Sequence, residues 1–443
     1  MKYLLSSICL IFVLFNLQAN PGLDLKDRSN DPVRVEQFMD WGMGMFIHWG
    51  LDAELGSVIS HSMVGASEDY LERYINELPK YFDPDDYDPE EWVRLAKLAG
   101  FKYMVLTTKH HSGFCLWPTK TTDFSVANTP YKKDIVKAYV KACRKYDMKV
   151  GFYFSPEDFW FLHQQGHVIR RKGADYVGIS NNPELLAYNK RQVKELFTKY
   201  GPIDVAFLDA FDNTAIRDYI HQLQPQCIVT RGEMETPEQN IPNQPLAGPW
   251  ESCFTLGSQW QFKPTNENYK SGEQLIEMLI DIRAKGGNLL INMGPEPSGR
   301  IPFEQERRFR ELGLWMFVNG EAIHNIRPCP VIGEGELYFT RPKDEPDTVY
   351  IIIPQGEERW RRGQRREYTL QSLAPHGEMK ISVLGQNDQV VEYRPNLKPE
   401  SRVEMIEEGL SISVVRAQRL YNNYGWPNPV VVKLEGVKFL ENE

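Results

Sequence analysis

The stretch DPEEWVRLAKLAGFKYMVLTTKHHSG, residues 88–113, contains one helix and one strand and decides the fold class. Asp88 suits the N-cap of the helix, Pro89 its first position and Gly100 its end. Apolar residues between them recur at helical spacing, which predicts one buried face. The run at 103–108 follows at once and is rich in β-branched and aromatic residues, so we predict a strand there.

The same order of helix and strand repeats along much of the chain. Further strand-like runs lie at residues 44–50, 149–155, 203–210, 227–232 and 288–294, and helical patterns lie at 134–146, 184–200, 214–223, 271–287 and 303–318. Short connections and apolar strands predict a parallel sheet that helices cover on the outside. Repeats of this kind over about 300 residues are typical of a (β/α)₈ barrel.

The pattern of predicted secondary structure changes near Gly333. After this residue, short strands alternate with turns and no convincing helix appears. We therefore predict an α/β protein with two domains: a (β/α)₈-like barrel at residues 20–328 and a C-terminal antiparallel β-sandwich at residues 329–443. No glycine-rich phosphate loop follows a strand, which disfavours a nucleotide-binding sheet.

Residues 1–19 have the pattern of a secretory signal peptide, with Lys2 before an apolar run and the small Ala19 at its end. We expect cleavage near Ala19 and a secreted or periplasmic protein. The net charge of -9 argues against nucleic acid or an anionic membrane as a partner, and no later run is long enough for stable membrane insertion. The five remaining cysteines are scattered among apolar residues, which is typical of buried thiols.

Polar side chains follow one predicted strand after another, where functional groups of a barrel lie. They are His48, His110, His111, Tyr153, Glu157, Asp158, Asp209, Arg231, Glu233 and Glu251. The histidine pair alone fits a solvated turn, a metal site or a floor that binds hydroxyl groups. The whole set favours the floor, because imidazoles both donate and accept hydrogen bonds.

Several motifs resemble the α-L-fucosidase family of retaining glycoside hydrolases: GMFIHWG, LAKLAGFKYMVLTTKHHSGFCLW, YGPIDVAFLD and KGGNLLINMGPEPSGRIP. The resemblance extends from about residue 48 to residue 325 and implies a barrel followed by a β-sandwich. It implies that Asp209 is the nucleophile and that Glu251, after Trp250, is the acid/base. The sugar-binding positions of the family fall on His48, His110, His111 and Tyr153, and we add Arg231, Phe207 and Trp260 as substrate contacts. Such an enzyme needs no metal or organic cofactor.

Three departures from the family pattern leave the sugar open. Phe207 and Ala210 stand where tryptophan and glycine are frequent, SPEDFWFLHQQG is an unusual sequel to the third strand, and the loop after the first strand offers Ser60 or His61 in place of a Glu-Trp pair. We expect hydrolysis of terminal α-L-fucosyl residues from an oligosaccharide or glycoconjugate. The alternatives are L-galactose or L-glucose as the sugar, or a non-catalytic carbohydrate-binding barrel. Glu233 and Glu235 are rivals to Glu251 as acid/base.

Overall fold

The computed structural model describes residues 29–356, 358–421 and 426–440. The predicted signal peptide lies outside these residues. Among the described residues, no helix has both the length and the apolar character that crossing a membrane would require.

A curled parallel sheet surrounded by helices forms the first part of the structure, which confirms the predicted fold class. Its strands lie in the order β5-β4-β3-β2-β1-β7-β6. The strands are β1 (Met43–Ile47), β2 (Tyr103–Lys109), β3 (Lys149–Phe154), β4 (Val205–Leu208), β5 (Ile228–Val229), β6 (Glu251–Phe254) and β7 (Asn288–Met293). The helices are α1 (Pro32–Trp41), α2 (Glu68–Asn76), α3 (Pro89–Ala99), α4 (Ile135–Lys145), α5 (Phe159–Gln164), α6 (Pro183–Lys199), α7 (Thr214–Leu223), α8 (Gly272–Ala284) and α9 (Phe303–Asn319).

The helix and strand of the stretch 88–113 form as predicted. The Asp88 side chain accepts hydrogen bonds from the backbone N–H groups of Glu90 and Glu91, so it caps α3. Gly100 ends the helix at φ 93°, a left-handed conformation that favours glycine. All seven residues of β2 are buried, because neighbouring strands and the surrounding core cover both faces.

A short segment occupies the gap between β5 and β6. Residues 235–239 run parallel to β6, with Glu235 bridged to Trp250 and Glu238 bridged to Cys253. This register places Glu238 beside the later part of β6 and Glu235 beside its beginning. The segment thus takes the place of an eighth strand, although its pairing is irregular.

Helix α1 closes the amino ends of the barrel strands. Its residues Phe38 and Trp41 pack on Tyr103 at the start of β2, with ring centroids 5.5 and 5.6 Å away. The open end of the barrel is therefore the one where the strands finish, which is the end that carries active sites in this architecture.

Two antiparallel sheets form the C-terminal part, as predicted. One has the order β12-β15-β10-β9-β8 and the other β11-β14-β13. The strands are β8 (Ile326–Glu334), β9 (Leu337–Pro342), β10 (Thr348–Ile353), β11 (Arg365–Leu370), β12 (Leu373–Val383), β13 (Arg402–Ile406), β14 (Gly409–Val415) and β15 (Val430–Phe439). The boundary expected at residues 328/329 falls inside β8. The five cysteines of the described chain are buried free thiols, as their sequence context predicts.

Candidate active site

A cavity of about 330 Å³ opens at the carboxyl ends of the barrel strands. Seven of the nine predicted site residues line it: His48, His110, Tyr153, Phe207, Asp209, Arg231 and Trp260. Its remaining lining residues are Phe46, His61, Arg171, Ala210, Phe211, Glu238 and Cys253. This size and mixture of aromatic and polar groups suit a small sugar.

Asp209 follows β4 and is surrounded by groups that stabilise its ionised form. The Tyr153 hydroxyl donates to Oδ2 at 2.8 Å, and Arg231 Nη1 lies 3.2 Å from Oδ1. Burial raises the pKa of Asp209, but the His111 ring, the Arg231 guanidinium and the Tyr153 hydrogen bond outweigh it and lower that pKa to about 2. The side chain is therefore an anion over the whole neutral range.

Arg231 joins Asp209 to a second carboxylate that the sequence analysis missed. The same Nη1 atom that contacts Asp209 lies 2.9 Å from Oε2 of Glu238. The two oxygens that share this nitrogen are thus at most about 6 Å apart, close to the separation of about 5 Å between the carboxyl groups of retaining glycosidases. The Arg231 guanidinium also lies 4.7 Å from the ring centroid of Phe207, which helps to fix its position.

Three buried imidazoles form the polar floor of the cavity and the layer behind it. His48 Nδ1 lies 2.7 Å from Asn292 Oδ1, which leaves Nε2 free to face the cavity. His110 Nδ1 lies 2.8 Å from the Ser60 hydroxyl, and its ring stacks on Tyr153. Burial lowers the pKa of His48 to about 4, so the ring is neutral at pH 7.

His111 lies behind Asp209 and does not line the cavity. Its Nε2 atom lies 3.5 Å from Asp209 Oδ2, and its Nδ1 atom lies 2.6 Å from the Ser155 hydroxyl. Burial lowers the pKa of His111 to about 3. The predicted histidine pair therefore divides its tasks, since one ring faces the cavity and the other contacts the carboxylate.

An aromatic corner occupies one side of the cavity. Phe46 lies 4.8 Å from Phe207 and 5.9 Å from Trp260, measured between ring centroids. Phe207 and Tyr153 are neighbours in the register of β3 and β4, so both rings point into the barrel. This corner offers apolar contact to any part of a sugar that lacks a hydroxyl group.

Glu251 lies at the opposite end of the barrel, so its expected position at the rim is wrong. It is the first residue of β6, pairs in register with Asn288 at the start of β7 and accepts a hydrogen bond from the Tyr103 hydroxyl. All three residues lie at amino ends of strands, next to α1. We expected Glu251 at the carboxyl end of a strand, but β6 begins at this residue, so its side chain lies at the amino ends of the barrel strands. Complete burial raises the pKa of Glu251 to about 7.

The two rivals of Glu251 also lie outside the cavity. Glu233 contacts His221 Nε2 at 2.7 Å and accepts a hydrogen bond from the backbone of Asn30. Glu235 lies beside Trp250 through its backbone bridge, near the start of β6. Glu238 follows them in the same loop, three residues after Glu235.

Arg171 is a further cavity residue that the sequence analysis missed. It lies in the long connection between α5 and α6, where no strand end marks it. Its Nε atom donates to Oε2 of the buried Glu157 at 3.0 Å, and Nη1 lies 3.4 Å from His61 Nε2. His61, considered earlier as a substitute sugar contact, does line the cavity.

Two groups of side chains in the described chain come close enough to share a metal ion. Ligand atoms of His110, His111 and Asp209 lie within 4.8 Å of one another, as do those of Glu68, Glu72 and His163 on the surface. Glycoside hydrolysis by two carboxyl groups requires no ion at the first of these positions.

The family model for α-L-fucosidase matches residues 24–321. The match covers most of the chain and all the barrel strands described above. The chain belongs to the α-L-fucosidase family. It is accordingly a glycoside hydrolase of the retaining type, in agreement with the resemblance noted from the sequence motifs.

Curated relatives of the same family include plasma α-L-fucosidase of Rattus norvegicus, which is 27% identical over 76% of this chain and 80% of the relative. The α-L-fucosidase of Branchiostoma floridae is 28% identical over 70% of this chain and 76% of its own length.

Solved structures of family members superpose over almost the whole chain. α-L-Fucosidase isoenzyme 1 of Paenibacillus thiaminolyticus has a TM-score of 0.73 at 26% identity, covering 92% of this chain and 99% of its own. A trapped covalent intermediate of a Bacteroides thetaiotaomicron α-L-fucosidase has a TM-score of 0.72 at 24% identity, covering 93% and 98%, and shares the fold.

Proposed function

We propose that the protein hydrolyses terminal α-L-fucosides by double displacement, with Asp209 as the nucleophile and Glu238 as the acid/base. The observation that carries this proposal is the single Arg231 nitrogen that contacts both carboxylates at one cavity. Because the two carboxyl groups are close together, no water fits between the sugar and the attacking carboxylate, which favours retention.

In the first step, an oxygen of Asp209 bonds to the anomeric carbon while the bond to the leaving oxygen breaks. Glu238 gives its proton to that oxygen. In the second step, Glu238 takes a proton from water, the water oxygen bonds to the anomeric carbon and Asp209 leaves as the carboxylate. Asp209 suits this role because its low pKa keeps it ionised.

Fucose is the sugar that the aromatic corner favours. A fucose ring presents a methyl group where L-galactose and L-glucose present a hydroxymethyl group. Phe46, Phe207 and Trp260 offer apolar contact for a methyl group. Burying a hydroxyl group there without a partner would cost about 1–3 kcal/mol.

Hydrolysis of aryl α-L-fucoside, α-L-galactoside and α-L-glucoside by the purified protein tests the proposal. We expect kcat/KM for the fucoside to exceed the other two by more than about tenfold, the discrimination that one pocket contact supplies. The first-formed sugar should be the α-anomer, as observed by NMR. A preference for either hexoside would overturn the choice of sugar, and a β-anomer would overturn the mechanism.

We also propose that the enzyme is exported and acts on fucosylated oligosaccharides or glycoconjugates outside the cytoplasm. The signal-like pattern of residues 1–19 supports export, and the curated relatives include plasma enzymes. Sequencing of the mature N-terminus after expression with the native leader tests it. A mature protein that retains Met1 would contradict the proposal.

A further inference from the structure

Phe211 is an exposed aromatic side chain at the mouth of the cavity, two residues after Asp209. It is 64% exposed, whereas most of the other aromatic residues that line the cavity are buried. Single exposed apolar side chains are ordinary on protein surfaces, so exposure alone does not mark a binding site. The surroundings of the ring are what distinguish it.

The Phe211 ring is held in place from behind. Tyr176 packs edge-on against it with ring centroids 6.1 Å apart and planes at 89°, and Lys172 Nζ lies 5.6 Å from its centroid. Tyr176 is fixed in turn, because its hydroxyl donates to Glu157 Oε1 at 2.9 Å. Arg171 fixes the other oxygen of the same buried carboxylate. The ring is therefore a supported surface.

The leaving group must lie on this side of the cavity. The floor is made of buried residues such as His48 and Tyr153, which leaves the mouth for whatever is attached to the bound sugar. Glu238, the proposed proton donor, has a side chain that is 43% exposed and lines the same mouth. A proton donor must reach the leaving oxygen, so the leaving group lies between Glu238 and the rim.

We propose that Phe211, supported by Tyr176, is the platform of a leaving-group subsite that binds the pyranose ring attached to the cleaved fucose. The C–H groups on one face of a pyranose pack on an aromatic ring, while its hydroxyl groups stay available to water and to nearby polar side chains. This inference rests on the proposed fucosidase activity and adds to it the side chain that contacts the leaving sugar.

The test compares two substrates that share the fucosyl group. α-L-Fucosyl fluoride has no leaving sugar, and fucosyl disaccharides of every available linkage have one. For Phe211→Ala we expect kcat/KM to fall by about tenfold or more on the best disaccharide and by less than about twofold on the fluoride. Phe211→Trp keeps a ring and should retain most of the disaccharide activity.

Phe317→Ala is the matched control, because Phe317 is 89% exposed on α9 and does not line the cavity. Phe317→Ala should leave kcat/KM unchanged on both substrates. Equal losses for Phe211→Ala on both substrates, or no loss on either, would overturn the subsite, as would a wild type that cleaves the fluoride but no disaccharide. A wild type that cleaves neither would overturn the proposed function itself.

Discussion

At the scale of the residue, Glu238 and Glu251 belong to neighbouring segments of the barrel wall but lie at opposite ends of it. Glu238 pairs with Cys253 in the later part of β6, and Glu251 is where β6 begins. The position along a strand, and not the distance along the chain, decides which carboxyl group reaches the sugar.

We predict that Glu238→Ala lowers kcat/KM on a fucosyl disaccharide by about 100- to 10,000-fold, because the leaving oxygen then lacks its proton donor. Fluoride leaves without a proton, so kcat/KM on fucosyl fluoride should fall far less. Steady-state kinetics on both substrates measure the difference.

Glu251→Gln is the paired variant, and it should keep activity within about tenfold on both substrates because the Glu251 side chain does not line the cavity. If Glu251→Gln lowered kcat/KM on the disaccharide more than Glu238→Ala does, the assignment of Glu238 as acid/base would be wrong.

The buried Glu251 also predicts a pH dependence of stability. Its folded pKa is raised to about 7, from 4.5, so folding favours the protonated form. The protonated side chain makes its whole contribution to stability below the unfolded pKa of 4.5. This contribution is lost as the pH rises from 4.5 through about 7. The loss is on the order of 3 kcal/mol.

Glu251→Gln should therefore unfold at higher urea concentration than the wild type above pH 8 and lose this advantage at pH 4.5. Urea denaturation at both pH values measures it. A difference between variant and wild type that is the same at both pH values would show that Glu251 does not titrate as described.

At the scale of the element, the loop after β1 is held to the site by one buried carboxylate. Asp52 accepts hydrogen bonds from the Ser60 backbone N–H at 3.0 Å and from the Tyr74 hydroxyl at 2.7 Å. The Ser60 hydroxyl then contacts His110, and the next residue, His61, lines the cavity. Asp52 is thus a positioning residue for two imidazoles.

Asp52 Oδ2 accepts from Ser60 and Tyr74, and Oδ1 accepts from the Ser57 hydroxyl at 3.2 Å. We predict that Asp52→Asn lowers kcat/KM by about tenfold, because the amide NH₂ replaces one of these two acceptor oxygens. Hydrogen exchange of residues 57–65 should become faster, while exchange in β2 stays slow. Asp69→Asn, on the exposed face of α2, is the control and should change neither kcat/KM nor the hydrogen exchange of residues 57–65. Unchanged exchange in the loop would contradict the positioning role.

The elements also show how far the sequence leads. Caps such as Asp88, glycine ends such as Gly100 and buried strands are local signals, so the alternation and the barrel could be predicted from them. The same local signals mark the carboxyl ends of β1 to β4. His48, His110, Tyr153 and Asp209 lie at or just after these ends and could be predicted as site residues for that reason. Glu238 and Arg171 lie in long connections, where only tertiary contacts with Arg231 and Glu157 bring them to the cavity.

At the scale of the whole molecule, the barrel and the C-terminal sheets share buried contacts. Trp315 of α9 is fully buried, and its indole N–H donates to the Pro429 carbonyl oxygen at 2.9 Å. Thr340 of β9 donates to the Ala322 carbonyl oxygen at 3.0 Å. We propose that residues 20–328 and 329–443 are two domains that stabilise each other through these contacts, with the junction at β8.

We predict that Trp315→Ala lowers the free energy of unfolding by about 3–5 kcal/mol, because it leaves a large cavity in the packed interior. Trp315→Phe keeps most of the volume and should cost less. Urea denaturation followed by circular dichroism measures both. A loss below about 1 kcal/mol for Trp315→Ala would contradict the proposal that this contact stabilises the two parts.

The central claim is that Asp209 forms a covalent bond to the sugar, and trapping with 2-fluoro-fucosyl fluoride tests it most directly. The electron-withdrawing fluorine slows both steps, and the fluoride leaving group still allows the first. Intact mass spectrometry should show one added 2-fluorofucosyl group, and peptide mapping should place it on Asp209. Glu238→Gln should prolong its lifetime, because the second step needs a base. A label on any other carboxylate, or steady turnover with no covalent species, would contradict the account.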